Sequence, residues 1–153
     1  MSFFGTYEHT MDAKGRLSLP AKYRKQLVSE DDDEVLIAPG FKRGKLCTLF
    51  VFADDAAFDA WFKRFYKTPD GGDEFDQNSD SDEGMHDYFY NNTVPVRVED
   101  NGRVKLPQSH IDMAGLKRDV HVAGGGDHVE IWDAERHSAY LASIDPLAGR
   151  RKA

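Results

Sequence analysis

Residues 11–20 have the sequence MDAKGRLSLP, and residues 98–107 have the related sequence VEDNGRVKLP. Both stretches contain an acidic residue, a Gly-Arg step, an apolar-polar-apolar triplet and a closing proline at the same spacing. The matched positions are Asp12 with Glu99, Gly15 with Gly102, Arg16 with Arg103, and Pro20 with Pro107. Two copies of one unit in a chain of 153 residues predict a single domain built from two related halves.

The two copies predict the same hairpin. Each copy begins with an alternating strand, residues 7–11 in the first and 94–98 in the second, and such alternation is typical of a half-buried strand. Gly15 and Gly102 predict the turns, because tight hairpin turns need residues that tolerate positive φ. In the return strands, an apolar face separates from a polar face that carries Arg16, Ser18, Arg103 and Lys105.

The remaining elements also recur. Pro20 and Pro107 suit the first turns of short helices near residues 20–27 and 107–113. Further strands are expected at 34–38, 46–52, 119–123 and 129–132. Each copy closes with a helix capped by an Asp, and its large side chains fall at i, i+3, i+4 and i+7; they are Phe58, Trp61, Phe62 and Phe65, then His137, Tyr140, Leu141 and Ile144. The expected fold is α+β and mainly β, and these side chains are expected in the core or at a subunit interface.

Charge divides the chain into segments. Residues 67–87 hold eight acidic residues and one basic residue, so they carry the entire net charge of −7 and leave the remainder neutral. This stretch is polar and rich in Asp, Gly and Ser, which favours an acidic linker or surface loop. The expected organisation is a first repeat at 1–66, this linker, a second repeat at 88–145 and a basic tail at 146–153, with both repeats in one domain.

The residues do not favour catalysis. Six histidines are scattered, and the single Cys47 cannot form an intrachain disulfide. His121 and His128 could face each other across a hairpin, but no ligand spacing typical of a metal site accompanies them. The triple glycine at 124–126 lacks the Lys-Ser/Thr of a phosphate-binding loop. We therefore expect no enzyme, catalytic residue, cofactor or metal; without a signal peptide or an apolar run of membrane-spanning length, the expected protein is soluble and cytoplasmic.

The hairpins carry the candidate binding residues. Asp12 should oppose Arg16 across the first turn, and Glu99 should oppose Arg103 across the second. Taken singly, these are exposed ion pairs worth roughly 0–1 kcal/mol. Taken together, they bring four cations onto one surface, with the acids orienting the guanidiniums; the four are Lys14, Arg16, Arg103 and Lys105. An Arg fork suits phosphate and the guanine edge, so this pattern predicts DNA binding.

Residues 7–24, with the second copy through Gly102-Arg103 to the EIWD stretch at 130–133, resemble the MraZ family of transcriptional regulators. The resemblance implies the swapped-hairpin barrel shared with AbrB-type regulators. The family motif of an Asp four residues before an Arg falls on Asp12 and Arg16. In the second copy the acid is Glu99, a departure that should orient Arg103 less tightly, so Arg16 ranks above Arg103 as the DNA contact.

The resemblance also implies partners. Members form ring-shaped homo-oligomers that bind short direct repeats in double-stranded DNA upstream of the division and cell-wall gene cluster. The expected protein is thus a nucleoid-associated regulator, usually a repressor, acting on a cluster that includes its own promoter, and without a membrane partner. The alternative is an oligomeric protein-interaction scaffold that binds no DNA and whose hairpin arginines are structural.

Overall fold

The computed structural model describes residues 2–65 and 80–147 as a mixed structure in which most strands belong to one antiparallel sheet. The first half contains β1 (Thr6–Thr10), β2 (Arg16–Ser18), α1 (Ala21–Leu27), β3 (Glu34–Lys42), β4 (Lys45–Phe52) and α2 (Asp55–Phe65). The second half contains α3 (Asp80–Asn92), β5 (Val94–Arg97), β6 (Arg103–Lys105), α4 (Gln108–Ala114), β7 (Asp119–Gly124), β8 (Val129–Asp133) and α5 (Ala134–Ala142). Apart from α3, the two halves repeat one order of elements.

The two halves exchange strands. The large sheet has the order β1-β7-β8-β4-β3-β5, so the first strand of each half pairs with a strand of the other half. β4 and β8 join the halves at the centre of this sheet, and β2 pairs with β6 in a separate ribbon. The described strands thus form an open six-stranded sheet and a two-stranded ribbon, and not a closed form of the barrel that the family resemblance implies. β1 and β5 form the two edges of this sheet and do not pair with each other.

The core lies beneath the ribbon and one face of the sheet. Leu17 and Val104 face each other in the ribbon and are fully buried, and Leu19 and Leu106 are each 2% exposed. The alternation predicted for the return strands is therefore present, with apolar side chains inward and the arginines on the other face. Burial of each such side chain contributes about 1.5–3 kcal/mol, so this face holds the hairpins on the domain.

A second cluster of aromatic residues packs α2 and α3 on the opposite side of the sheet. Phe58, Trp61 and Phe62 are buried as expected, whereas Phe65 is 49% exposed. The corresponding helix α5 buries His137 but leaves Leu141 52% exposed. The repeated helix pattern therefore has different packing in the two halves, because α3 covers α2 and no described helix covers α5 in the same way.

Part of the expected acidic linker is helical. Residues 66–79 lie outside the described part of the chain, as do 148–153 of the expected basic tail. From Asp80 onward the chain forms α3, and its fully buried Phe89 lies 5.9 Å from Trp61 between ring centroids. This aromatic packing is the physical reason that the linker ends earlier than its composition suggested. Within the described ranges, no helix has the length and apolarity needed to cross a membrane.

Candidate nucleic-acid interface

The two Gly-Arg hairpins are locked together. In the β2–β6 ribbon, Arg16 lies opposite Lys105 and Ser18 lies opposite Arg103. Beyond the ribbon, the N–H of Leu19 donates to the carbonyl of Gly102 at 2.9 Å, and the N–H of Leu106 donates to that of Gly15 at 2.9 Å. Each turn is thus fastened to the return strand of the other half, which places both arginines on one surface.

The first turn holds its arginine with a carboxylate. Asp12 Oδ1 accepts from the backbone N–H groups of Lys14 and Arg16, each at 2.9 Å, and Oδ2 accepts from Arg16 Nε at 2.7 Å. The backbone N–H of Arg16, followed by its side chain, lowers the pKa of Asp12 to about 2, against burial. Asp12 is therefore ionised at neutral pH and fixes the guanidinium by its inner nitrogen. The side chain of Arg16 is 32% exposed, so its outer edge faces solvent.

The second turn does not form the expected Glu99–Arg103 pair. Glu99 Oε1 and Arg103 Nε are both buried, and neither has a hydrogen-bond partner among the described residues. The shorter Asn101 accepts from the backbone N–H of Arg103 at 3.1 Å instead, which is the local turn contact that Asp12 makes in the first half. Arg103 Nη1 lies 3.8 Å from Asp12 Oδ2, so a single carboxylate lies near both guanidiniums.

Both turn glycines have positive φ, 79° at Gly15 and 83° at Gly102. Both are also buried under the opposite half, so they are not projecting loop tips. A Cβ at Gly15 would lie 2.9 Å from Ile111 Cδ1, and a Cβ at Gly102 would collide with the guanidinium of Arg24. Glycine is therefore favoured at both turns by backbone conformation, and a side chain there would also have to displace Ile111 or Arg24.

An open groove of about 760 Å³ runs beside the first turn. Its polar lining includes Asp12, Arg16, Ser18, Arg103, Gln108 and Arg118. Lys14 and Lys105 are exposed but do not line it. Sequence reasoning missed Gln108 and Arg118, and the contact of Arg24 with Gly102, because these positions adjoin the hairpins only through the exchange of strands between halves.

Three histidines of the second half form hydrogen bonds with side chains. His121 Nδ1 lies 2.8 Å from His137 Nδ1, whereas His128 bonds Asp127 at 2.8 Å and Glu130 at 2.9 Å. His121 and His128 therefore do not face each other, because the β7–β8 register places His121 opposite Trp132. The described residues contain no group of three or more His, Cys, Asp or Glu side chains arranged to hold a metal ion.

Comparison with known proteins gives the family. The family model described as "MraZ protein, putative antitoxin-like" matches residues 2–60 and 89–149, which are the two repeats. A relative from Limosilactobacillus fermentum is 33% identical over 95% of this chain and 94% of its own length. A relative from Kineococcus radiotolerans is 31% identical over 98% of this chain and 94% of its own length. A relative from Mycoplasma capricolum is 30% identical over 92% of this chain and 95% of its own length. All three are named transcriptional regulator MraZ, a family of regulators and not of enzymes. The chain therefore belongs to the MraZ family.

Proposed function

We propose that this protein is a sequence-specific DNA-binding transcriptional regulator that contacts DNA with the polar face of its locked hairpins. The observation that carries the proposal is the sharing of one carboxylate, Asp12, by two arginines from different halves that line one open groove. The names of the relatives support the same class of function.

Arg16 is the principal base-reading residue in this proposal. Its inner nitrogen is held by Asp12, so less side-chain entropy is lost when the outer edge of the guanidinium meets a guanine or a phosphate. Arg103 is the weaker contact, since its nearest acid is 3.8 Å away and belongs to the other turn. The exposed Lys14 and Lys105 supply phosphate contacts, which add affinity without sequence information.

We propose that the protein acts as a ring-shaped homo-oligomer on short direct repeats. One copy offers few cations, whereas several copies in phase with repeated sites convert weak contacts into tight binding through effective concentration. Exposed apolar side chains support contacts between copies; those of Phe4, Leu141 and Leu147 are 72%, 52% and 51% exposed. The exchange of strands between halves supports a swapped-hairpin fold, with residues 1–66 and 88–145 as its two repeats, 67–87 as the connection and 146–153 as a tail.

The proposed biological role is repression of the division and cell-wall gene cluster, including the protein's own promoter, by a protein located in the cytoplasm at the nucleoid. The support is family membership together with the hairpin geometry. The rival is a protein-interaction scaffold in which the same arginines only stabilise the ribbon. The two differ in whether removal of Arg16 changes sequence-dependent DNA binding.

Fluorescence anisotropy tests the proposal. The probe is the region upstream of the protein's own gene, compared with a repeat-scrambled probe of the same length at two salt concentrations. Arg16→Ala should lose about tenfold or more in affinity for the native probe, since a bidentate Arg–guanine contact is worth about 1–3 kcal/mol. The matched control is Lys63→Ala, which removes an exposed cation from α2 on the other side of the sheet.

Circular dichroism and size-exclusion chromatography establish that each variant keeps its fold and oligomeric state. Repeat-dependent binding that is lost in Arg16→Ala and kept in Lys63→Ala supports the regulator. Equal binding of both probes by all three proteins contradicts sequence-specific regulation through Arg16, and no binding by any of them supports the scaffold.

A further inference from the structure

The two halves have equivalent backbone contacts but opposite charges beside their hairpins. The N–H of Met11 donates to the carbonyl of Arg118 at 2.8 Å, and the N–H of Val98 donates to that of Asp33 at 2.7 Å. Met11 and Val98 begin the two aligned stretches, and Arg118 and Asp33 each immediately precede a strand, β7 and β3. Arg118 and Asp33 are therefore structurally equivalent positions, occupied by a cation in one half and an anion in the other.

Beside the second hairpin, the cation Arg97 lies between two acids. Asp33 Oδ2 accepts from Arg97 Nε at 2.9 Å, and Arg97 Nη2 lies 3.9 Å from Asp100 Oδ1. The residue equivalent to Arg97 in the first half is Thr10, which carries no charge. Arg118 therefore lacks an oppositely charged neighbour of the kind that Arg97 provides for Asp33. Its exposed side chain forms no ion pair with the described residues.

The space beside the two turns also differs. The guanidinium of Arg24 covers Gly102, whereas the equivalent residue in the other half, Ile111, covers Gly15 with a methyl group. Beside the first turn the groove remains open and presents Arg16, Arg103 and Arg118 against the single carboxylate of Asp12. The open groove therefore has both room and an excess of positive charge, while the second turn is filled by an arginine side chain.

We propose that this groove binds a phosphate of the DNA backbone, with Arg118 as a third guanidinium beside Arg16 and Arg103. The inference rests on the proposed DNA-binding function and deepens it, because it makes the two hairpins unequal. The first hairpin reads DNA and anchors a backbone phosphate beside it, and the second lacks such a phosphate site. The three guanidiniums exceed the charge of Asp12 by two, so the groove stays positive when it holds the single negative charge of a phosphodiester, and the guanidinium fork suits the phosphate oxygens.

The test compares Arg118→Ala with Lys117→Ala. Lys117 is the neighbouring residue and carries the same charge, but its exposed side chain does not line the groove. Binding of the native and scrambled probes is measured in phosphate-free buffer over about 50–300 mM salt. Arg118→Ala should weaken binding by about tenfold on both probes and flatten the slope of log affinity against log salt by about 0.9 per engaged copy. Lys117→Ala should change affinity by less than about twofold.

Arg118→Lys and Arg97→Ala provide two further checks. Arg118→Lys should retain most of the affinity, because a phosphate accepts a point charge, and Arg97→Ala should cause no loss. Retention of wild-type affinity and salt slope in Arg118→Ala overturns the inference and leaves the proposed function intact. A loss confined to the native probe also overturns it, since it would indicate base readout. Failure of the wild-type protein to bind either probe overturns both the inference and the proposed function.

Discussion

Replacement of the buried Glu130 should cost this protein a large share of its stability. Glu130 is 6% exposed and accepts hydrogen bonds from Lys42 Nζ at 2.7 Å, His128 Nε2 at 2.9 Å and Trp132 Nε1 at 2.9 Å. Burial alone raises the pKa of Glu130, but these donors and the charge of Lys42 outweigh burial and lower its pKa to about 2 from 4.5. That difference corresponds to about 3 kcal/mol of folding free energy at neutral pH.

The sign of the pH dependence follows from the lowered pKa. The unfolded chain takes up a proton on Glu130 near pH 4.5, whereas the folded protein takes it up near pH 2. The contribution is therefore complete above about pH 5 and is lost as the pH falls toward about 2. Glu130→Gln keeps the shape but removes the charge that satisfies Lys42 and His128, so it should cost about 3 kcal/mol at neutral pH and progressively less in acid.

Urea denaturation at several pH values, followed by circular dichroism, measures the loss of stability at neutral pH and its change with pH. The matched control is Glu30→Gln, which removes an exposed carboxylate from the loop between α1 and β3 and should change stability by less than about 0.5 kcal/mol. If Glu130→Gln and Glu30→Gln have equal free energies of unfolding at neutral pH, or if the difference between them grows in acid, the electrostatic account of Glu130 is wrong.

Three further predictions concern the hairpins and the buried histidine. Asp12→Asn keeps an acceptor for the turn but removes the charge that holds Arg16, so DNA affinity in the anisotropy assay should fall about fivefold, and the melting temperature should also fall, because the ionised carboxylate stabilises the folded turn; full affinity in the folded variant would contradict this. Gly102→Ala and Gly44→Ala should each destabilise the protein by about 1–2 kcal/mol in urea, because both glycines have similar positive φ and the Arg24 side chain that lies against Gly102 can move; a much larger cost at Gly102 would show that Arg24 is held in place. Burial lowers the pKa of His137, so the free energy of unfolding should fall as the pH drops below about 6.5. His137→Phe should flatten this pH dependence, and an unchanged slope would contradict the prediction.

Much of the fold could be predicted because its signals are local. Alternation in the return strands and the apolar spacing of α2 depend on side chains within one element, and both patterns are present in the structure. The end of β3 could not be predicted in this way. The sequence predicted a strand at 34–38, yet β3 continues to Lys42, because residues 39–42 pair with β4, where Gly40 leaves room for the ring of Phe50. Glycine is favoured there by a tertiary contact.

The site was predictable where one hairpin determines it. The spacing of Asp12 and Arg16 places them across one turn, and their side chains lie 2.7 Å apart. The same spacing was misleading for Glu99, because the longer acid does not fold back onto its own turn and Asn101 takes the backbone contact. Arg118 could not be found by any local pattern, since it reaches the groove through the pairing of β1 with β7.

The exchange of strands has a consequence for synthesis of the protein. β1 pairs with β7, and β2 pairs with β6. Neither β1 nor β2 can therefore complete its hydrogen bonds until the second half has left the ribosome. At ordinary elongation rates the first half spends seconds with exposed strand edges and the apolar side chains of Leu17 and Leu19 uncovered. Two nascent chains on one messenger RNA could pair first half with first half during that interval. The first half is therefore the part of this fold that is most exposed to mispairing during synthesis.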